Sequence, residues 1–215
     1  MKMRPVLCLF LSLLLVALTG CSSTYYSAWE KMGVYKRDLL KKRVVAARDE
    51  QKEAGQQFKD ALTRLKELYG FKGGDLEKVY DSLKSDLDRS SSKADAVRKR
   101  VKEVEGVSAD LFSEWETELK QISSASLRDK SREQLSQTRD RYETLHQALK
   151  SAEKSMDPVL AQFRDQVLYL KHNLNAQALS SLQKEALNIQ DDITNLLAEM
   201  DRSIRQADSF IKQLP

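Results

Sequence analysis

From Leu76 to Val104 the small and apolar positions Leu76, Tyr80, Leu83, Leu87, Ser90, Ala94, Val97, Val101 and Val104 recur at steps alternating between four and three. The span is 28 residues in eight steps, an average of 3.5. That is the period of a seam in a left-handed coiled coil, weakened in the middle by the short side chains of Ser90 and Ala94. The alternation that a strand would need is absent.

Leu135, Thr138, Tyr142, Leu145, Leu149, Ala152 and Met156 repeat the rhythm. Extended backward through Ile122, Leu119, Trp115 and Leu111, this seam loses register across the polar stretch 123–133, where a bend or a solvated interval is expected. A third series runs Leu160, Phe163, Val167, Leu170, Leu174, Ala178, Leu182, Ala186, Ile189 and on to Leu214, 54 residues in fifteen steps averaging 3.6. Four successive four-residue steps between Leu170 and Ala186 unwind a supercoil there and predict one nearly straight helix, roughly 80 Å long at 1.5 Å per residue. A broader face, Trp29, Met32, Leu39, Leu40, Ala47, Ala54, Phe58, Ala61, Leu62, Leu65 and Leu68, predicts a first helix ending near Tyr69.

Punctuation between these runs is sparse. Gly70 and Gly73-Gly74-Asp75 supply a C-cap, a turn and an N-cap. Gly106 followed by Ser108 repeats the signal more weakly, and Asp157-Pro158 places a capping carboxylate before a residue suited to the first helical position. Breaks are therefore expected near 70–74, 106–107 and 156–157. Helices joined by short turns run antiparallel to their neighbours. The expected fold class is all-α, an elongated antiparallel helical bundle or coiled coil of three to four long helices after a signal peptide. Unequal helix lengths predict that one end thins to two or three helices.

The chain opens differently. A basic start, Met1-Lys2-Met3-Arg4, precedes an apolar run from Leu7 to Leu18 interrupted only by Ser12, and then Leu18-Thr19-Gly20-Cys21. This is the layout of a secretory signal, and it is shorter than the roughly 20 apolar residues of a spanning helix. A cysteine directly after Leu-Thr-Gly resembles the lipobox of bacterial lipoproteins, which implies cleavage before Cys21 and lipid on its sulfur and new amino group. Of the two cysteines, Cys8 falls in the segment to be removed. Acylation explains the remaining thiol, which would otherwise mispair in an oxidising compartment. Ser22 and Ser23 follow with no aspartate, a pattern that in such lipoproteins implies sorting to the outer membrane. The expected organisation is a signal peptide over 1–20, a lipidated tether over 21–27 and one helical domain over 28–215.

Removing Lys2 and Arg4 from the 36 basic residues leaves 34 against 32 acidic ones, a formal charge near +2. So small a surplus, interleaved along helices, reads as a solvated surface and not as a nucleic-acid footprint. Glycine (7) and proline (3) are scarce, as an elongated helical chain requires.

Catalytic and metal chemistry find little support. His146 and His172 lie beside the seams in different segments, with no Glu-x-x-His or His-x-x-x-His spacing to hold a metal. The doublets Asp49-Glu50 and Asp191-Asp192 diverge around a helix and read as solvated charge. Gly73-Gly74 lacks the strand and lysine of a phosphate loop. No cofactor is expected, and no trio of nucleophile, base and stabiliser can be named. One cluster stands out: Tyr169, His172, Asn173 and Asn175 gather where the C-terminal rhythm changes. Two readings are open for it, a polar layer that fixes helix register or a groove that receives a partner.

Tyr25-Tyr26-Ser27-Ala28-Trp29-Glu30-Lys31-Met32-Gly33, Lys36-Arg37-Asp38, Met156-Asp157-Pro158-Val159-Leu160 and Val167-Leu168-Tyr169-Leu170-Lys171-His172-Asn173-Leu174-Asn175 together resemble an uncharacterised proteobacterial family, domain of unknown function 2959. The resemblance covers essentially the whole chain after the signal. It implies a signal-bearing, coiled-coil-rich envelope protein and brings no catalytic residues. The functional expectation is a non-enzymatic lipoprotein on the periplasmic face of the outer membrane, a scaffold or adaptor. Its expected partners are the membrane, through the anchor, an envelope protein, and a second copy of itself. The alternative is a helical carrier of a lipid or small apolar ligand.

Overall fold

The computed structural model describes residues 35–69, 76–173 and 175–214. They form four helices: α1 (Lys36–Tyr69), α2 (Leu76–Leu119), α3 (Ala125–His172) and α4 (Ala176–Gln213), with no strand among the described residues. The signal and tether, Trp29, Met32 and the glycines of the expected 70–74 break lie outside the described residues, although α1 ends and α2 begins on either side of that break. By contacts the chain divides into two units, Met1–Leu39 and Leu40–Pro215. Of the first, only Tyr35 and the opening of α1 are described; there the Asp38 and Leu39 amides donate to the Tyr35 carbonyl at 2.9 and 3.0 Å.

Within the second unit the helices run up, down, up, down. Antiparallel pairing follows from contacts that fall on one chain as they rise on the other. Arg43 meets Glu103 and Arg64 meets Asp86 across α1 and α2. Trp115 meets Ser131 and Arg98 meets Asp157 across α2 and α3, while Tyr142 meets Phe210 and Gln162 meets Asp192 across α3 and α4. Arg48 with Asp208 closes the ring between α1 and α4 at 2.8 Å. A Cβ at Gly55 would lie 3.5 Å from the Met200 sulfur, so α1 and α4 approach closely there.

The seams of α2 and α3 follow the sequence pattern with small rotations. Leu83, Ser90, Ala94, Val97, Val101 and Val104 are buried, as are Leu135, Thr138, Leu145, Leu149, Ala152 and Met156. Near the ends of α2 and α4 the buried stripe shifts by one residue. Asp86 is enclosed while Leu87 is half-buried, and Ser203 and Phe210 are enclosed while Ile204 and Ile211 are half-buried.

Three expectations about joints are corrected. Helix α2 runs unbroken through Gly106, which is exposed, and a Cβ there would meet nothing within 4 Å. Ser108 bonds back to the Glu105 carbonyl at 2.9 Å and caps nothing. Glycine weakens a helix by roughly 1 kcal/mol, less than the burial of Val101, Val104, Val107 and Leu111 contributes around it. Helix α3 likewise continues through Pro158, an exposed residue on its solvent side. Asp157 is no cap; it takes a 2.6 Å bond from Arg98 Nη2 of α2, and Met156, Val159, Leu160 and Phe163 carry the buried stripe past it.

The single straight C-terminal helix is also replaced, by a reversal at 173–175. Asn173 leaves the helix at φ −134° and ψ 56°, and its amide closes on the Leu170 carbonyl at 3.1 Å. The other reversal falls at 120–124, inside the region expected to bend. Ser124 has extended backbone and its hydroxyl accepts from the Leu127 amide, a capped start for α3.

These joints set the architecture. Within the second unit, α1 (from Leu40) and α4 (to Gln213) end within about one turn of the level marked by the contacts Arg43–Glu103 and Tyr142–Phe210. Beyond it, among the described residues, α2 and α3 continue as a two-helix arm with its own cluster of Phe112, Leu119 and Leu135, flanked by Trp115, Ile122 and Tyr142.

Candidate functional site

The residues singled out in the sequence gather at the end of the bundle away from the arm, in the last turns of α3. Tyr169 is 39 % exposed and Leu168 51 % exposed beside it. His172 is exposed in the final turn. Asn173 is the C-cap, and its side-chain Nδ2 donates to the Tyr169 carbonyl at 2.9 Å. The Asn175 amide donates to the Asn173 carbonyl at 2.9 Å. Asn173 and Asn175 therefore build the turn, and the register-setting role inside a continuous helix does not apply to them. Asparagine suits this place because its short amide side chain bonds nearby backbone in non-helical conformations. Cys21 lies outside the described residues.

Because the chain reverses here, residues remote in sequence face Tyr169. Gln162, Asp165, Gln166 and Tyr169 of α3 and Ser181, Leu182 and Asn188 of α4 line an open groove of about 500 Å³. Gln162 Nε2 donates to Asp192 on its rim. Amides, a hydroxyl, a carboxylate and a phenol supply donors and acceptors along a groove whose exposed lining is otherwise mostly apolar. Such a lining suits a polar chain or headgroup laid along the two helices. The sequence points to Tyr169 alone of these, since Ser181, Leu182 and Asn188 join it only once the reversal is known.

Elsewhere polar groups serve packing. Asp86 is fully buried and held by Arg64, whose Nε donates to its two oxygens at 2.9 and 2.7 Å, and by Arg89. This carboxylate keeps the Arg64 guanidinium charged, raising its pKa against the opposing effect of burial. On α1 and α4, Gln51 and Ser203 are fully buried, and the Gln51 amide and the Ser203 hydroxyl have no hydrogen-bond partner among the described residues. His146 bonds Glu105 at 2.8 Å and stacks on Tyr142 at 5.7 Å. Burial pushes the Tyr142 phenol up, with the Ser108 hydrogen bond acting in the other direction. Among the described residues no group of three His, Cys, Asp or Glu could hold a metal ion.

No curated protein matches the sequence. A family model described as "Protein of unknown function (DUF2959)" matches residues 25–214.

Proposed function

We propose, on the premise that the chain belongs to the DUF2959 family, that it is a non-enzymatic lipoprotein, held on the periplasmic face of the outer membrane through Cys21, that presents its α3–α4 groove to another envelope component. The observation that carries this reading is the groove itself: an amide-rich trough flanked by exposed Leu168 and Tyr169 at one end of a filled helical bundle. An exposed aromatic beside side-chain amides is a common composition for a protein-binding patch. From the Tyr142 level to Tyr169 is roughly 40 Å at 1.5 Å per residue, so the groove lies far along α3 from the arm. Six of the seven described lining residues carry polar groups, hydrogen-bonding chemistry that suits a macromolecular partner.

The test is a photo-crosslinking amino acid at Tyr169, compared with one at exposed Lys84 on α2. A discrete adduct at 169, absent at 84 and lost when Gln162 and Asn188 are both changed to alanine, supports the groove. Equal, diffuse labelling at both positions rules it out. Radiolabelled palmitate on the wild type and not on Cys21→Ser tests the anchor separately.

A further inference from the structure

We infer that the free tip of the α2–α3 arm is a membrane-contact surface that docks on anionic phospholipid headgroups of the leaflet to which the chain is anchored. The inference rests on the anchored reading above, and its chemistry is local to the tip. Leu127, in the first turn of α3, is 60 % exposed, one of four large apolar side chains left so open among the described residues. Arg128 and Lys130 follow it in the first turns of α3 and Lys120 lies in the preceding turn, none with an acidic partner among the described residues. The acid within this stretch, Asp129, is held by Arg132 at 2.7 Å. Beside them a groove of about 600 Å³ is lined by Leu119 and Leu135, by Lys120, Arg128, Arg132 and Arg139, and by the carboxylates Glu116 and Asp140. Arg132 and Arg139 are paired with Asp129 and Glu116, which leaves Lys120 and Arg128 as its unpaired cations among the described residues. An exposed apolar side chain in a stretch that carries unpaired cations is a composition that membrane interfaces select, because the cations meet phosphate while the apolar group enters the acyl boundary.

Topology points the tip the right way. Within the second unit α1 begins at Leu40, and the antiparallel order puts Leu40 on the arm's side of that unit. The tip projects roughly 24 Å past the Arg43–Glu103 contact, at 1.5 Å per residue from Glu103 to Leu119. The fourteen residue steps from Cys21 to Tyr35 reach at most about 50 Å when extended. Two attachment points, lipid and tip, would fix the direction in which the distal groove faces.

The experiment makes the tip answer independently of the anchor. The chain from position 21, with Cys21→Ser and an N-terminal hexahistidine, is held on vesicles by a nickel-chelating lipid. Leu127→Cys, then its one thiol, carries an environment-sensitive fluorophore. On phosphatidylglycerol-containing vesicles the emission should shift to the blue and be quenched by brominated acyl chains. Changing Lys120, Arg128 and Lys130 together to glutamate should reduce that quenching several-fold, with the circular dichroism melt unchanged. The same label at Ser181, at the opposite end, should stay aqueous. A label at 127 that stays aqueous on the vesicles overturns the inference, as does quenching that survives the triple change. A blue shift without vesicles, growing with protein concentration, assigns the tip to a second copy and also overturns it. Because the tether is artificial, failure of Cys21 to acquire palmitate in cells would remove the anchored reading without touching this result.

Discussion

The four-helix body and the two-helix arm share α2 and α3, yet their cores differ. In the body, Leu40, Phe58, Leu145, Leu149, Met156, Phe163, Ile193 and Leu196 are fully enclosed, because each faces neighbours on more than one side. In the arm, Phe112, Leu119 and Leu135 retain 5 to 8 % exposure, and Trp115, Ile122 and Tyr142 are covered only in part. Two helices can bury one seam and no more. The arm compensates with side-chain ties at its margins. Trp115 Nε1 donates to Ser131 Oγ at 2.9 Å, Arg139 pairs with Glu116 at 2.6 Å, and the Arg139 guanidinium lies 5.2 Å over the Phe112 ring. Exposed ion pairs contribute about 0–1 kcal/mol each, so the arm should open locally while the body persists.

Phe163→Ala should do most damage, about 3–5 kcal/mol, seen as one cooperative loss in a urea titration followed by helical ellipticity; a shift under about 1 kcal/mol would mean the body is loosely packed. Asp86→Ala comes next. It leaves Arg64 and Arg89, both of which reach solvent, without their acceptor and should destabilise the body by about 2 kcal/mol, whereas Asp86→Leu combined with Arg64→Met should restore or exceed wild-type stability. If the double replacement is as weak as the single one, the buried ion pair matters for more than its own satisfaction. Leu135→Ala, in the arm, should cost about 2 kcal/mol locally. Amide hydrogen exchange over 112–140 should accelerate while protection in the body and the main unfolding midpoint hold; a global drop would show that arm and body unfold together. Gly106→Ala has the smallest effect and the opposite sign. It sits at the junction of the two regions, in open space on a helix, and should stabilise by about 0.5–1 kcal/mol, slowing exchange in the arm more than in the body.

Much of the fold is legible because burial imposes a period, and that period is written in α2 and α3 from Leu83 to Val104 and from Leu135 to Met156. Joints are harder. Gly106 and Asp157-Pro158 carry strong local signals, but their preferences are worth a few kcal/mol at most, and a continuous buried stripe overrides them. The turn at Asn173 lacks glycine and proline altogether, so the evenly spaced apolar residues on both sides read as one helix. That reading hides the groove, since Ser181, Leu182 and Asn188 of its lining lie beyond the turn. Asp86 and Ser203 escape notice because Leu87 and Ile204 next to them satisfy the same period.

The separations bridged by the helix pairs also bear on how the bundle forms. Lys93 and Glu50, across α1 and α2, stand 43 residues apart, whereas Arg48 and Asp208, across α1 and α4, stand 160 apart. Chain closure grows costlier with the logarithm of length, so roughly two doublings add about 1.2 kcal/mol to bringing the first and last helices together. The same seam encloses the unpartnered Gln51 and Ser203, which burial alone disfavours. Hairpins should therefore zip from their turns first and the α1–α4 edge should shut last, making it the edge along which the assembled bundle first comes apart under load.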